Sequence, residues 1–366
     1  MKPNDVGEVD GLSVTRGRCN RFGQVGQHWK DILGALLFVS GLWIVGRTSE
    51  AWAETRHYYV QAEDVVWNFA PSHQDLLHGG AIPAPWTDSH TFPKIRYIEY
   101  TDATFTTQKP QPEWLGILGP IIRAEVGDTI RVHFRNRAKS GSYGMHPHGL
   151  RYTKANEGAH YTGANSGELP GAGAQVPPGG NFDYVWIADA DSGPARGDAS
   201  SLVWWYHSHV DEVAETNAGL LGPIIVTRKG DARPDGTPKG VDQEFVTAFL
   251  IFDELDGAEE GLMHSINGYI FGNLKGLVAS KDAKVRWYVL GMGNEVDLHT
   301  PHWHGKTLRV GGYRHGHRTD VIDLLPGSMV TADMRADNLG EWMLHCHVAD
   351  HIEAGMFTSY HIRKPL

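Results

Sequence analysis

The segment His345-Cys346-His347-Val348-Ala349-Asp350-His351-Ile352-Glu353-Ala354-Gly355-Met356 has a counterpart in the first half of the chain. Tyr206-His207-Ser208-His209-Val210 answers Leu344-His345-Cys346-His347-Val348, and Ala218-Gly219-Leu220 answers Ala354-Gly355-Met356. Upstream, Met145-His146-Pro147-His148-Gly149 answers Pro301-His302-Trp303-His304-Gly305, and each is followed by a Pro-Gly pair, Pro178-Gly179 or Pro326-Gly327, leading into a strand. Four His-x-His pairs in register, two per half, make an internal repeat that chance does not produce. Residues i and i+2 of an extended strand share a face, so each pair presents two imidazoles side by side.

Around these motifs, strand-like runs alternate with turn signals. They fall at 56–68, 93–100, 129–135, 182–187, 202–206 and 223–227, then at 245–252, 285–290, 307–310, 330–334 and 357–362. This spacing predicts an all-β protein of two tandem β-sandwiches. The polar, Pro- and Gly-punctuated stretch 229–238 reads as the linker, which places one domain at 54–235 and the other at 236–366.

With 366 residues, 41% of them hydrophobic, the chain can bury more than one core, and 44 Gly with 19 Pro suit a turn-rich β protein. A net charge of -10 without a long basic run argues against a nucleic-acid partner. Residues 32–46 carry no charge, follow Arg16, Arg18, Arg21 and Lys30, and lead to Ala51-Trp52-Ala53, a small-x-small cleavage pattern. Residues 1–53 are therefore expected to be a Sec-type signal peptide that exports the protein to a periplasmic or extracellular space. An uncleaved membrane anchor is the competing reading. Cleavage removes Cys19, one of only two cysteines, so no disulfide framework is expected, and Cys346 needs protection by burial or by a metal.

The other unusual count is 21 His. Eight imidazoles in four pairs exceed what one metal ion uses and suit three ions sharing them, with Cu, Zn, Fe and Ni all compatible. The segment quoted first narrows the choice. Cys346 is followed by His351 at +5 and Met356 at +10, and with His299 these form the His, Cys, His, Met set of a blue copper electron-transfer centre. Because Cys346 lies between His345 and His347, one peptide segment would link that centre to the histidine cluster.

In its four segments taken in order, the chain resembles the multicopper oxidases. It is similar to ceruloplasmin and hephaestin in Trp114-Leu115-Gly116-Ile117-Leu118-Gly119-Pro120, Ser265-Ile266-Asn267-Gly268 and Gly291-Met292-Gly293-Asn294-Glu295-Val296-Asp297-Leu298-His299. The resemblance covers almost all of the chain after the signal segment. It implies cupredoxin-like Greek-key domains, with type 1 copper at His299, Cys346, His351 and Met356. It also implies type 2 copper at His146 and His302, and a type 3 pair at His148, His207, His209, His304, His345 and His347. The active unit would hold one type 1, one type 2 and two type 3 ions. The first half has Tyr143, Ser208, Val213 and Leu220 where the second has His299, Cys346, His351 and Met356, so only domain 2 matches the type 1 pattern. That departure resembles two-domain oxidases, which implies a homotrimer with each cluster shared between domain 1 of one subunit and domain 2 of the next.

The activity so implied is one-electron oxidation of a reductant, passage of electrons through Cys346 to the cluster, and four-electron reduction of O2 to water. For the reductant, ceruloplasmin-like proteins imply Fe(II) held by residues matching Glu259, His264 and Asp350, with Glu295 supplied by the adjacent subunit. Each also has an ordinary reading: Glu259 belongs to the acidic stretch 254–260, expected to be a solvated loop, and His264 would cap a turn. Glu295 and Asp297 are candidates for proton delivery, with a hydrogen-bonded structural carboxylate as the alternative for Asp297. A laccase-like oxidase of phenols or aromatic amines is the alternative function. A copper nitrite reductase is more distant, since it needs three cluster histidines rather than eight, and a copper carrier needs no cluster. The Gly-rich insertion 155–180 reads as a surface loop, a lid or a trimer contact.

Overall fold

In a computed structural model the described residues are 53–87, 89–161, 171–312 and 316–365, and all of them lie in one compact unit, Glu50–Leu366. The segment 1–53 expected to be a signal peptide, apart from Ala53, and the centre of the 155–180 insertion lie outside the described residues. The first half supplies β1 (Thr55–Asn68), β2 (Thr91–Tyr100), β3 (Ile122–Glu125), β4 (Thr129–Asn136), β5 (His146–Pro147), β6 (Asn181–Ile187), β7 (Ser201–His207), helix α1 (Glu212–Ala218) and β8 (Leu221–Thr227). The second supplies β9 (Gln243–Asp253), β10 (Leu262–Ile266), β11 (Val278–Ser280), β12 (Lys284–Gly291), β13 (Pro301–Trp303), β14 (Leu308–Val310) and β15 (His317–Thr319). It continues with β16 (Met329–Arg335), β17 (Gly340–Cys346), helix α2 (Ala349–Glu353) and β18 (Phe357–Arg363).

Each sheet draws its strands from one half. The orders are β2-β1-β4-β6 and β3-β8-β7-β5 in the first, β10-β9-β12-β16-β14-β15 and β11-β18-β17-β13 in the second. The chain is all-β in the cupredoxin-like manner, and the sequence pattern explains which faces are buried. In β4, Ile130, Val132 and Phe134 point inward while Arg131, His133 and Arg135 alternate with them, as in a sheet with one wet face. Strands β8 and β12 are almost wholly buried because the two halves pack against each other. A shared core joins Trp205, Leu221 and Ile225 of the first half to Val246, Leu250, Tyr288 and Leu290 of the second. Each half also has its own core, one around Val132, Tyr184 and Trp186, the other around Trp287, Trp303, Leu344 and Cys346. At about 1.5–3 kcal/mol per fully buried large apolar side chain, these cores dominate stability.

The expected strands are all present, with ends shifted by at most two residues. To these the structure adds β3, β5, β10, β11, β13, β15, β17 and both helices. Most of these are short, and β17 shows no alternation: its burial rises steadily from exposed Gly340 to buried Cys346. The acidic stretch 254–260 is only partly solvated, contrary to expectation. Glu254 forms a buried ion pair with Lys94 of β2, whose ammonium also donates to the carbonyl of Asn217 at 2.6 Å and lies 4.6 Å from the Phe252 ring.

Candidate metal centres

The repeat persists in strand register. His146 pairs with His207 across β5 and β7, and His302 pairs with His345 across β13 and β17. Each His-x-His pair straddles the end of its strand: β5 ends at Pro147, β7 at His207, β13 at Trp303 and β17 at Cys346. The sheets thus deliver all eight imidazoles to strand termini, where side chains are free of the ladder.

Beyond β17 the chain enters α2 and returns, with the Met356 N–H donating to the His351 carbonyl (2.9 Å) and the Cys346 N–H to the Met356 carbonyl (3.0 Å). This loop brings His351 back to Cys346. Cys346 Sγ lies 3.6 Å from His351 Nδ1 and 4.0 Å from His299 Nδ1, and the two Nδ1 atoms are 3.2 Å apart. All three side chains are buried, and Met356 is fully buried in the same core. Burial alone would raise the Cys346 thiol. Contacts with His299 and His351 and N–H bonds from Thr300 and Val348 outweigh it, bringing the thiol down to about 6. A thiolate and two imidazoles with a thioether in the same core fit a copper ion. The first half repeats the scaffold without the donors: the Gly144 N–H donates to Ser208 Oγ (3.0 Å) as the Thr300 N–H does to Cys346 Sγ (3.3 Å). Val213, matching His351, points into solvent, and Leu220, matching Met356, is buried.

Four further imidazoles gather in each half. His146 Nδ1 donates to the Glu157 carbonyl (2.7 Å) and His207 Nδ1 to the Ser208 carbonyl (2.9 Å). In the second half His302 Nδ1 donates to Asp320 O (2.8 Å) and His345 Nδ1 to Cys346 O (2.7 Å). A carbonyl can only accept, so these bonds fix the tautomers and leave Nε2 as a lone pair turned to the neighbouring rings. His148 Nε2 faces His207 Nε2 at 2.9 Å, and His304 Nε2 faces His345 Nε2 at 3.1 Å. Burial first, and neighbouring imidazoles second, depress His148 to about 4; burial, with His146 and His209 adding to it, takes His207 to the same value. Both are neutral, the ligating form, at ordinary pH. Three ligand atoms converge within 4.8 Å at His146, His148 and His207, and three at His302, His304 and His345. His209 joins the first group through a ring contact of 5.2 Å to His146, and His347 joins the second at 5.4 Å to His345. The eight imidazoles form two separate groups, one per half.

Of the four residues expected around iron, the structure brings one to the buried site. His264 of β10 is buried, its Nδ1 donating to Leu262 O (3.1 Å) and its ring 5.1 Å from that of His351. Trp86, from the loop joining β1 and β2, packs edge-on to His264 at 6.4 Å and donates its indole N–H to the same carbonyl. Glu259 lies in a short 3-10 turn before β10, Asp350 in α2 and Glu295 between β12 and β13, and all three are exposed. None belongs to a converging group of metal-binding side chains among the described residues.

Two groups escaped the sequence reading. The carbonyls that orient the histidines carry no sequence signature. Glu212 does: it opens α1 three residues after His209, at the repeat position of Asp350, and its carboxylate lies 3.3 Å from His209 Nε2 and 3.8 Å from His207 Nε2.

Two family models, both described as multicopper oxidase, match residues 98–231 and 250–365. The chain is 36% identical over 344 residues to the human protein named ferroxidase HEPHL1, covering 84% of this chain and 29% of that one. It is 36% identical to rat ceruloplasmin (91% and 33% covered) and 35% identical to mouse hephaestin (90% and 31%). It spans about a third of the length of these relatives. Among solved structures, a multicopper oxidase superposes with a TM-score of 0.59 at 21% identity, covering 84% of this chain and 89% of that one. The blue copper oxidase of Nitrosomonas europaea gives 0.57 at 20%, with 84% and 86% covered.

Proposed function

As the chain belongs to the multicopper oxidase family, we propose that it oxidises Fe(II) one electron at a time and reduces O2 to two waters. The observation that carries this reading is covalent: the buried Cys346 is peptide-bonded on both sides to histidines of the second imidazole group. Copper held by these side chains would supply the redox chemistry. His299, Cys346, His351 and Met356 would hold a type 1 ion, His146 and His302 a type 2 ion, and His148, His207, His209, His304, His345 and His347 a type 3 pair.

The chain's residues have separate tasks. Cys346, its thiol pulled down to about 6, offers a thiolate at neutral pH. The carbonyls of Glu157, Ser208, Asp320 and Cys346 aim Nε2 atoms. Burial of His299 and His351 excludes water from the thiolate. Fe(II) as the reductant is supported by the names of the relatives and by His264, whose ring bridges from His351 toward the segment bearing Glu259. Asp350 and, from an adjacent subunit, Glu295 would complete a carboxylate-rich site suited to iron. An oxidase of phenols or aromatic amines is the competing reading, and the burial of both Nδ1-presenting histidines weighs against direct contact with an organic ring. Assembly as a homotrimer is supported by the separation of the two imidazole groups, each of which needs a complement. Export through residues 1–53 completes the proposal.

Steady-state rates with Fe(II) and with a phenol, for the copper-loaded protein and for Glu259→Ala and Asp350→Ala, test the substrate. Loss of Fe(II) turnover with phenol turnover retained is expected; full Fe(II) turnover in both variants would refute the iron site.

A further inference from the structure

Asp297 is a fully buried carboxylate two residues before His299. Its Oδ1 accepts from the Ile251 N–H of β9 at 2.8 Å and lies 3.1 Å from His299 Nε2, while its Oδ2 accepts from the Asn294 N–H at 3.0 Å. The side chain is 0% exposed. A fully buried carboxylate held by main-chain N–H donors has the surroundings of a hydrogen-bonded structural carboxylate. A group so costly to bury needs a return, and two N–H bonds from the main chain supply its solvation. The third contact has a chemical consequence. A carboxylate oxygen accepts, so His299 Nε2 is the donor to Asp297, and Nδ1 is the ring atom turned toward His351 Nδ1 and Cys346 Sγ. Gly293 shapes this arrangement: a Cβ there would lie 2.0 Å from Asp297 Oδ2.

We propose that Asp297 is a positioning residue of the His299–Cys346–His351 site, holding the His299 ring by its Nε2–H so that Nδ1 faces the site, and lowering the reduction potential of the metal bound there. The potential follows from charge: a fixed anion in a low-dielectric interior favours the more positive, oxidised state of a nearby ion. Sites at which Fe(II) gives up electrons would then be poised by a residue that touches neither iron nor the metal. This second part rests on the copper reading; the Nε2–H bond does not.

Two measurements test it. In the metal-free wild-type protein, 15N NMR of the histidine rings, with His299 assigned by comparison with His299→Gln, should show Nε2 protonated at neutral pH; an Nε2 without its proton would overturn the proposal. In the copper-loaded protein, Asp297→Asn keeps an oxygen acceptor but removes the charge. The equilibrium constant for one-electron reduction should rise about tenfold, equivalent to ~59 mV, with the blue absorption retained. An unchanged potential would overturn it. Failure of the copper reading itself would appear as absence of a Cu(II)-thiolate band in the wild type. If the variant does not fold, the NMR result on the native chain decides.

Discussion

Cys346 is the residue on which the redox reading turns. Its thiolate character comes from two imidazoles and main-chain N–H groups acting against burial. Cys346→Ser keeps the size and removes the soft donor, so the absorption near 600 nm (roughly the region of a Cu(II)-thiolate band) should vanish; persistence of the band would contradict the ligand assignment. The histidines predict a pH effect of definite sign. His148 and His207 are depressed from 6.5 to about 4 in the folded chain, so the stability they contribute is complete above pH 6.5 and is lost as pH falls toward 4. Thermal unfolding of the metal-free protein should show Tm falling through that window, and His148→Gln/His207→Gln should flatten the fall. At this scale the sequence was informative wherever a donor side chain carried the chemistry. It was silent about Glu157 and Asp320, which act through their carbonyls, and ambiguous about Asp297, whose role depends on which N–H groups surround it.

At the scale of elements, short connections do most of the positioning. The turn through α2 returns His351 and Met356 to Cys346, and in the first half α1, capped by Asp211 and ended at Gly219 in the left-handed region, makes the same return to Leu220. Gly293, at φ +122°, is another such hinge. Gly293→Ala should cost about 1–3 kcal/mol in urea denaturation, from strain at that φ and displacement of the Asp297 carboxylate. The Lys94–Glu254 pair joins β2 of one half to the residue that follows β9 in the other. Lys94→Met would leave a buried carboxylate unpaired, and a loss of about 3 kcal/mol is expected. The long strands were legible because β-branched and aromatic residues run between Gly and Pro signals. Strands β5 and β13, of two and three residues, were not legible as strands, although their histidines were the clearest feature of the sequence. Such strands exist because tertiary pairing with β7 and β17 imposes them, which no local pattern encodes.

For the whole molecule, the repeat of two halves was readable from sequence, but the core between them was not, since Trp205, Val246 and Tyr288 look alike whether they face their own sandwich or its neighbour. The two separate imidazole groups make assembly testable by complementation. A chain carrying His146→Ala/His148→Ala and one carrying His302→Ala/His304→Ala should each be inactive alone. Co-expressed, they should regain O2 consumption if clusters form between subunits, because some interfaces then pair two intact groups; no recovery would mean clusters built within one chain. The proposed chemistry couples four single-electron oxidations to one O2. The direct measurement is the ratio of Fe(II) oxidised to O2 consumed by the copper-loaded protein, followed with an oxygen electrode and assayed for peroxide. A ratio of about four, without peroxide and well above the spontaneous rate, is expected for electrons collected at a shared cluster. A ratio of about two with peroxide released, or no oxidation beyond the uncatalysed rate, would contradict it.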